Sequence, residues 1–238
     1  MRRIEWHDTI DSTMRRAAEL AREGCPAGTV VAARMQTAGQ GRLGRMWDSR
    51  PGGLYFTIVL RPRLEPAQVP LATLALGLAV ADTLQTFAGV AVDLRWPNDV
   101  LIGDRKLAGI LAQFQDGALL AGIGLNVNQR EFPPELEPLA TSLWRETGSE
   151  QNPEFLLPAL ARSIESHLNI LETSGAAAIL RLFESASSYV SGRRVTVELP
   201  AGSITGTTAG LTAEGFLLVR RDDGSLVTVT AGGVRPAG

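Results

Sequence analysis

The sequence predicts an α+β protein with a large N-terminal domain and a small all-β C-terminal domain. The chain has 238 residues, of which 45% are hydrophobic and 20% charged, so it can bury a sizeable core. Strand patterns and helix patterns are interspersed through its first 190 residues. After Tyr189, short β-branched runs alternate with turns of Gly, Ser and Asp, which is typical of a small antiparallel barrel. We therefore predict two domains, 1–189 and 190–238.

The first third of the chain combines strands, two helices and one unusual loop. Short β-branched or aromatic runs predict strands at 4–7, 29–35 and 54–60. Ser12 is a candidate N-cap for a helix that ends near Gly24, and apolar residues at helical spacing predict a buried helix at 66–87. The segment 36–50 is polar, glycine-rich and basic, and is predicted to be a loop.

The rest of the N-terminal domain is predicted to contain more strands and then two helices. Several strands lie between residues 92 and 128, separated by the turn pairs Pro97–Asn98, Gly103–Asp104 and Asp116–Gly117. An acidic, proline-rich loop follows at 131–138, and two helices, broken near Gly175, occupy 153–187. The C-terminal strands are predicted at 195–199, 215–220 and 226–230.

Charge and cysteine content exclude several classes of protein. A net charge of −2 argues against a general nucleic-acid or membrane-surface binder. Cys25 is the only cysteine, so the chain has no internal disulfide and no cysteine metal cluster, as expected in a reducing compartment such as the cytoplasm. The N-terminus lacks the apolar core of a secretory signal, and the apolar stretch 71–80 is too short to span a bilayer.

One basic residue differs from all the others. Of the 23 basic residues, 22 are arginine and only Lys106 is lysine. A codon or thermal bias explains the arginines and does not explain the exception. Because arginine cannot replace a compact, rotatable ammonium group, Lys106 is a candidate functional residue.

A glycine-rich basic loop is the first motif that could bind a ligand. It reads Gly39-Gln40-Gly41-Arg42-Leu43-Gly44-Arg45-Met46-Trp47. Its glycines permit close backbone approach to an anion, its arginines match phosphate or carboxylate oxygens, and its tryptophan offers a face for stacking. It is neither a P-loop nor a dinucleotide-binding fingerprint. The alternative is a mobile surface loop.

The second motif surrounds the lone lysine. It comprises Arg95-Trp96-Pro97-Asn98-Asp99-Val100 and Asp104-Arg105-Lys106-Leu107-Ala108-Gly109-Ile110-Leu111. A two-residue turn at Gly103–Asp104 would pair Leu101 with Lys106. Lys106 and Asp99 would then be diagonal neighbours on one face, with Cβ atoms roughly 7–8 Å apart. Asp99 also suits Mg²⁺. The alternative is a surface ion pair beside a turn.

Two further segments carry weaker signals. Residues 122–128 read Gly-Ile-Gly-Leu-Asn-Val-Asn, where glycines within a strand suggest close ligand approach, although a bulged core strand is an equal explanation. Ser12, Thr13 and Gln36 could hold a small polar head group, or Ser12 could simply cap a helix.

Together, in this order along nearly the whole chain, these motifs resemble biotin protein ligase. The combination of the glycine-rich loop, Trp96-Pro97-Asn98-Asp99 and Lys106-Leu107-Ala108-Gly109-Ile110-Leu111 is the specific part of the resemblance. The family fold is a mixed sheet flanked by helices, related to class II aminoacyl-tRNA synthetases, with an SH3-like C-terminal domain. Because no helix-turn-helix precedes the first strand, the chain resembles the type without an N-terminal DNA-binding domain.

The resemblance implies a role for each matching residue. Biotin contacts fall on Ser12, Thr13, Gln36, Gly39, Gly41, Arg42, Lys106 and Gly109. ATP and adenylate contacts fall on Arg42, Arg45, Trp47, Asn98 and Asn126. Lys106 and Arg42 would be catalytic, and Asp99 would contact Mg²⁺. The chain departs from the family pattern at Met14, where Asn is common, and at Gln40, where Arg is common.

The resemblance also implies a two-step reaction in the cytoplasm. Biotin and ATP would form biotinyl-5′-AMP, and a lysine of a biotin carboxyl carrier protein domain would then accept the biotin. Neither DNA nor a membrane is an expected partner, and a homodimer is left open. The alternatives are a lipoate or octanoate ligase of the same superfamily, a biotin-sensing DNA-binding repressor, and a non-catalytic partner that uses its C-terminal barrel for interaction.

Overall fold

The computed structural model describes residues 3–199 and 202–237 and contains two β-sheets. The larger sheet has seven strands: β1 (Ile4–His7), β2 (Thr29–Ala33), β3 (Gly53–Leu60), β4 (Asp93–Arg95), β5 (Asp99–Ile102), β6 (Arg105–Gln115) and β7 (Ala118–Asn126). Their order across the sheet is β1-β2-β3-β7-β6-β5-β4. Only β1 and β2 pair in parallel, and the other pairs are antiparallel. The predicted mixed sheet is confirmed.

Helices cover both faces of this sheet. They are α1 (Thr13–Arg22), α2 (Val69–Ala88), α3 (Leu143–Thr147), α4 (Pro153–Ser174) and α5 (Ala176–Ser185). On β3, Val59 belongs to the smaller core under α1, whereas Ile58 belongs to the main core with α2 and α4. Because successive strand residues point to opposite faces, β3 is buried along its whole length. The chemistry described below occupies the α1 face.

The most apolar helix belongs to the core. By length and composition alone, residues 66–88 could cross a membrane. In this fold, however, every residue from 71 to 80 is buried, and α2 packs against α4, α5 and β6. The burial identifies α2 as the central core helix of a folded domain.

The second sheet is formed by the C-terminal part of the chain. It contains β8 (Ser191–Leu199), β9 (Gly202–Leu211), β10 (Leu217–Arg220), β11 (Leu226–Val229) and β12 (Gly233–Pro236), all antiparallel, in the order β11-β10-β9-β8-β12. It is joined to the first sheet by packing and by a buried hydrogen bond of 2.9 Å from Trp96 Nε1 to the Gly215 carbonyl. The predicted small all-β unit at the C-terminus is therefore present.

Some elements differ from the sequence-based expectation. The strand predicted at 29–35 ends at Ala33, and the Met35 carbonyl accepts a hydrogen bond from Ile10 instead. Residues 66–68 form a 3₁₀ turn ahead of α2, closed by reciprocal hydrogen bonds between Glu65 and Gln68. The short helix α3 and the strands β9 and β12 were not predicted. Gly, Ser and Thr dominate β9, and their turn preference hid the strand pattern.

Candidate functional site

Two adjoining cavities open on the α1 face of the large sheet and share one wall. Trp47, Asp99 and Lys106 line both cavities, together with Arg45 from the glycine-rich loop and Val234 from β12. Twelve of the thirteen predicted site residues line one cavity or both: Ser12, Thr13, Gln36, Gly41, Arg42, Arg45, Trp47, Asn98, Asp99, Lys106, Gly109 and Asn126. The thirteenth, Gly39, lies outside both linings, and a Cβ there would overlap Ser49 Oγ. The close approach of Ser49 and the Trp47 carbonyl requires glycine at that position.

The first cavity ends in a cluster of uncharged polar groups. Gln36 Oε1 accepts hydrogen bonds from the Thr13 backbone N–H (2.8 Å) and hydroxyl (3.0 Å), and Gln36 Nε2 donates to Ser49 Oγ (2.9 Å). Thr13 Oγ1 also lies 3.0 Å from Thr57 Oγ1 on β3. Thr57 was missed by the sequence reasoning, although a threonine within a run of apolar residues on a buried strand is a usable signal. The cluster fixes the orientation of the Gln36 amide.

Ser12 contributes a hydroxyl that the protein itself does not use. Ser12 precedes α1 in the extended conformation of an N-cap, but its side chain makes no capping hydrogen bond. Its Oγ is buried and has no partner within the structure. Because an unpaired buried hydroxyl costs free energy, the arrangement indicates a polar ligand as its partner.

Paired glycines make a platform for Trp47. Gly109 on β6 and Gly124 on β7 are direct cross-strand partners, and a Cβ on either would overlap the Trp47 indole. The indole Nε1 is buried without a hydrogen-bond partner. Trp47 thus lies flat against bare backbone, between the two cavities.

Replacing Gly124 by Ala is expected to displace Trp47, since the new methyl group would occupy the position of the indole nitrogen. The emission of Trp47, isolated by difference against a Trp47→Phe protein, should shift to longer wavelength. Gly77→Ala in α2, where a new Cβ would meet only ordinary contacts at 3.7 Å or more, is the control for glycine replacement. An unchanged Trp47 spectrum in Gly124→Ala would contradict the platform.

Lys106 projects into the shared wall from the hairpin that the sequence predicted. Leu101 pairs with Lys106 as expected, and a register shift then places Gly109 opposite Asp99. Lys106 Nζ lies 2.5 Å from Asp99 Oδ1 and 4.8 Å from the centroid of the Trp47 ring. The ammonium group therefore contacts an anion and an aromatic face, and 29% of the side chain stays exposed to the cavity.

Asp99 is held by two cations. Arg95 donates to Asp99 Oδ2 from NH2 (2.8 Å), while Lys106 contacts Oδ1. Burial by itself raises the pKa of Asp99, but Lys106 and Arg95 together bring that pKa below its usual range. The carboxylate is charged at neutral pH, and both of its oxygens are already paired.

Arg42 is a half-buried cation, and among the described residues its side chain hydrogen-bonds to a neutral group. Its NH1 donates to Asn98 Oδ1 (3.2 Å), and Asn98 Nδ2 donates to the Ile110 carbonyl (2.8 Å). Burial lowers the pKa of Arg42, and the nearby Asp99 opposes that shift. Because guanidinium stays protonated in proteins, Arg42 supplies a positive charge to the first cavity.

The second cavity combines amide groups with an apolar wall. Asn126 Nδ2 donates to the Thr141 carbonyl (2.9 Å), and Gln129, another residue that sequence reasoning missed, donates to Tyr55 Oη (3.1 Å). Desolvation of the buried Tyr55 hydroxyl raises its pKa above the usual range. The apolar wall consists of Phe132, Leu136, Leu139 and Ala140. A flat heterocycle with polar edges matches these surroundings.

Both cavities carry an excess of positive charge. Their cationic lining residues are Arg42, Arg45, Arg50, Arg95, Lys106 and Arg235, whereas the anionic ones are Asp48, Asp99 and Asp104. The whole chain, in contrast, has a net charge of −2. Concentrating cations at one opening favours ligands with several negative charges.

Comparison with known proteins agrees with this geometry. Residues 6–129 match the model of the biotin/lipoate A/B protein ligase family, and residues 190–234 match that of the biotin protein ligase C-terminal domain. This chain belongs to the biotin protein ligase family. A family member from Paracoccus denitrificans, named biotin–[acetyl-CoA-carboxylase] ligase, is 32% identical over 231 residues that cover 93% of this chain and 95% of the relative. The ligase of the same name from Mycobacterium tuberculosis is 35% identical over 216 residues, 87% of this chain and 78% of the relative.

A solved structure of the family shares the whole fold. The biotin protein ligase from Aquifex aeolicus in complex with biotin and ATP has a TM-score of 0.88 and 32% identity, and each chain is covered completely. That protein binds two ligands, one of them a polyanion. The chain described here has two cavities that meet at Lys106, with the positive charge that such a polyanion requires.

Proposed function

We propose that this protein uses ATP to ligate biotin to a lysine of a biotin carboxyl carrier protein domain. The observation that carries the proposal is the position of Lys106 in the wall shared by the two cavities. The first cavity, with its uncharged polar end, would hold the biotin ring, and the second would hold the nucleotide. The biotin carboxylate and the α-phosphate would then meet beside the ammonium group.

The first step would join those two anions. A biotin carboxylate oxygen forms a bond to the α-phosphorus as the bond to the bridging oxygen of pyrophosphate breaks, giving biotinyl-5′-AMP. Lys106 and Arg42 would neutralise the repulsion between the anions and the charge that develops on phosphorus. Arg45, which belongs to the glycine-rich loop and lines both cavities, would turn from its contact with Glu198 of β8 (3.2 Å) to the released phosphates.

The second step would transfer biotin to the carrier. The lysine amine of the carrier attacks the biotinyl carbonyl, AMP leaves, and the amine proton passes to solvent. Residues 39–47 would close over the adenylate and exclude water, which otherwise hydrolyses the anhydride. Leu43 and Met46, at 56% and 78% exposure, are free to change their contacts on closure.

The proposal includes Mg²⁺ as the ion that binds with ATP. The described residues contain no group of three or more His, Cys, Asp or Glu side chains that could hold a metal alone, and both oxygens of Asp99 are paired. Asp99 would become a metal ligand only after Lys106 turns to the substrates. When bound, the ion would neutralise phosphate charge.

Ser12 provides a prediction for the biotin head group. Since its hydroxyl makes no hydrogen bond within the protein, Ser12→Ala should keep the free energy of unfolding or raise it slightly while weakening biotin binding about fivefold, for one lost hydrogen bond of about 1 kcal/mol. Ser142→Ala is the matched control. Ser142 caps α3 by accepting from the Arg145 N–H, so its loss should cost about 1 kcal/mol of stability. Calorimetric titration with biotin and urea unfolding measure the two effects, and a destabilised Ser12→Ala would refute the assignment.

The decisive experiment incubates the protein with biotin, MgATP and a purified carrier domain, and measures the mass of the carrier. A mass increase of one biotinyl group supports the function, and no increase contradicts it. Lipoate in place of biotin tests the related ligase activity, and we expect no lipoylated carrier. The reducing environment implied by a single cysteine leads us to place the reaction in the cytoplasm.

A further inference from the structure

The apolar wall of the second cavity belongs to an irregular stretch of chain, residues 130–140, called here the wall segment. It lies between β7 and α3 and contains turns but no helix or strand. Its residues Phe132, Leu136, Leu139 and Ala140 line the second cavity, and none of them lines the first. An irregular segment needs specific contacts to keep such a surface in place.

One side chain from outside the segment makes several of these contacts. Arg145, on α3, donates to the Arg130 carbonyl from Nε (3.0 Å) and NH2 (2.8 Å), and its NH2 also donates to Glu137 Oε1 (2.7 Å). Its guanidinium lies 4.9 Å from the centroid of the Phe132 ring. The side chain is only 18% exposed. Arg145 therefore holds the start, the aromatic residue and the middle of the wall segment at once.

The other end of the wall segment is attached to the lysine. The Lys106 N–H donates to the Leu139 carbonyl (2.7 Å), and the Thr141 N–H donates to the Lys106 carbonyl (3.0 Å). The segment is thus fixed to the backbone of Lys106 at one end and to Arg145 at the other. These contacts hold its apolar surface against the second cavity.

We propose that Arg145 is a positioning residue for ATP: it holds the wall segment so that Phe132 and Leu136 form the surface against which the nucleobase packs. This inference rests on the proposed function, because it assumes that the second cavity takes the nucleotide. Arg145 acts only through the segment, since it lines neither cavity. Its removal affects ATP and leaves the biotin cavity intact.

The geometry also predicts how well lysine can replace Arg145. A guanidinium can donate to a carbonyl and a carboxylate in one plane and stack on a ring, whereas an ammonium group is a point charge. Lysine at position 145 would restore the ion pair with Glu137 and lose the double hydrogen bond to the Arg130 carbonyl. Its effect should fall between those of arginine and glutamine.

The test is steady-state kinetics of carrier biotinylation with the full chain. Arg145→Gln should raise the KM for ATP about tenfold, with kcat and the KM for biotin within twofold of the wild type. Arg145→Lys should give an intermediate KM for ATP. Arg130→Gln is the matched control: it removes a pair with Glu150 and a contact with the Trp144 ring, and the carbonyl that Arg145 uses remains. That variant should behave as the wild type.

Two results would overturn the proposal: an unchanged KM for ATP in Arg145→Gln, or equal increases in the KM values for ATP and biotin, which would indicate a merely structural role. Amide hydrogen exchange of residues 131–139 gives a second readout and should accelerate in Arg145→Gln while β7 stays protected. Unchanged exchange in those residues would equally refute it. Failure of the proposed function has a different signature, because the wild-type protein itself would then not modify the carrier.

Discussion

Arginine in place of Lys106 is expected to lower the rate of adenylate formation by about a hundredfold or more, the usual cost of losing a group that stabilises charge in the transition state. The substitution keeps the charge and changes its shape. Lys106 Nζ fits between Asp99 Oδ1 and the face of Trp47. A planar guanidinium at the same backbone position is longer and wider, so it would push against the indole or pair with Asp99 through two nitrogens. Either outcome withdraws the cation from the point where carboxylate and phosphate meet.

Pyrophosphate released from biotin and ATP, without carrier, measures this step alone. The matched control is Arg105→Gln, the neighbouring residue of the same hairpin, whose side chain forms a partly exposed pair with Glu146 and lines neither cavity. The control should retain nearly normal release. Release by Lys106→Arg at the wild-type rate would show that any cation suffices, and would remove Lys106 from the mechanism.

The second large effect is expected from Arg42→Gly, which should release the adenylate instead of keeping it for the carrier. Arg42 is a half-buried cation with a neutral partner, Asn98, so a phosphate would be its natural counter-ion. The loss of a hydrogen bond to a charged group, at about 1.5–3 kcal/mol, corresponds to a roughly tenfold to hundredfold faster dissociation of biotinyl-5′-AMP. The free anhydride would then react with lysines of unrelated proteins.

A mixture of the carrier and a bystander protein measures this loss, by comparing biotin on each. Arg42→Leu separates the missing charge from the added backbone freedom of glycine, and Arg221→Gly, in an exposed turn of the C-terminal sheet, controls for the substitution type. We expect bystander labelling from both Arg42 variants and none from Arg221→Gly. If the Arg42 variants retain the intermediate as the wild type does, the loop is not the part that encloses it.

The mixed sheet, the buried helix and the hairpin that carries Lys106 could be predicted from residue type and spacing, and most candidate site residues do line the two cavities. The pairing of Leu101 with Lys106 follows from the two-residue turn at Gly103–Asp104, and no distant part of the chain alters it. Composition drew attention to Lys106, because it is the only lysine in the sequence. For these features, residue type and spacing carry the necessary information.

The features that escaped prediction depend on contacts between distant segments. In the sequence, Arg145 cannot be told from any other arginine of a helix. Only the fold shows that α3 places it against the Arg130 carbonyl and Phe132. The pairing of both Asp99 oxygens depends on Arg95 and Lys106 converging from two strands. That the Ser12 hydroxyl makes no capping hydrogen bond can be learned only from the structure. The sequence shows which polar side chains are present, and the tertiary fold decides which of them remain without a hydrogen-bond partner.

The presence of a single lysine limits how far the enzyme can biotinylate itself. A ligase that releases an activated acyl group is normally among the first proteins that this group acylates. Here the chain offers a single lysine amine, and that amine is engaged by Asp99 and Trp47 in the wall shared by the two cavities. An adenylate-releasing variant of this protein would therefore mark its surroundings and label itself little, apart from its N-terminal amine. The fold and composition together make it suited to labelling neighbouring proteins.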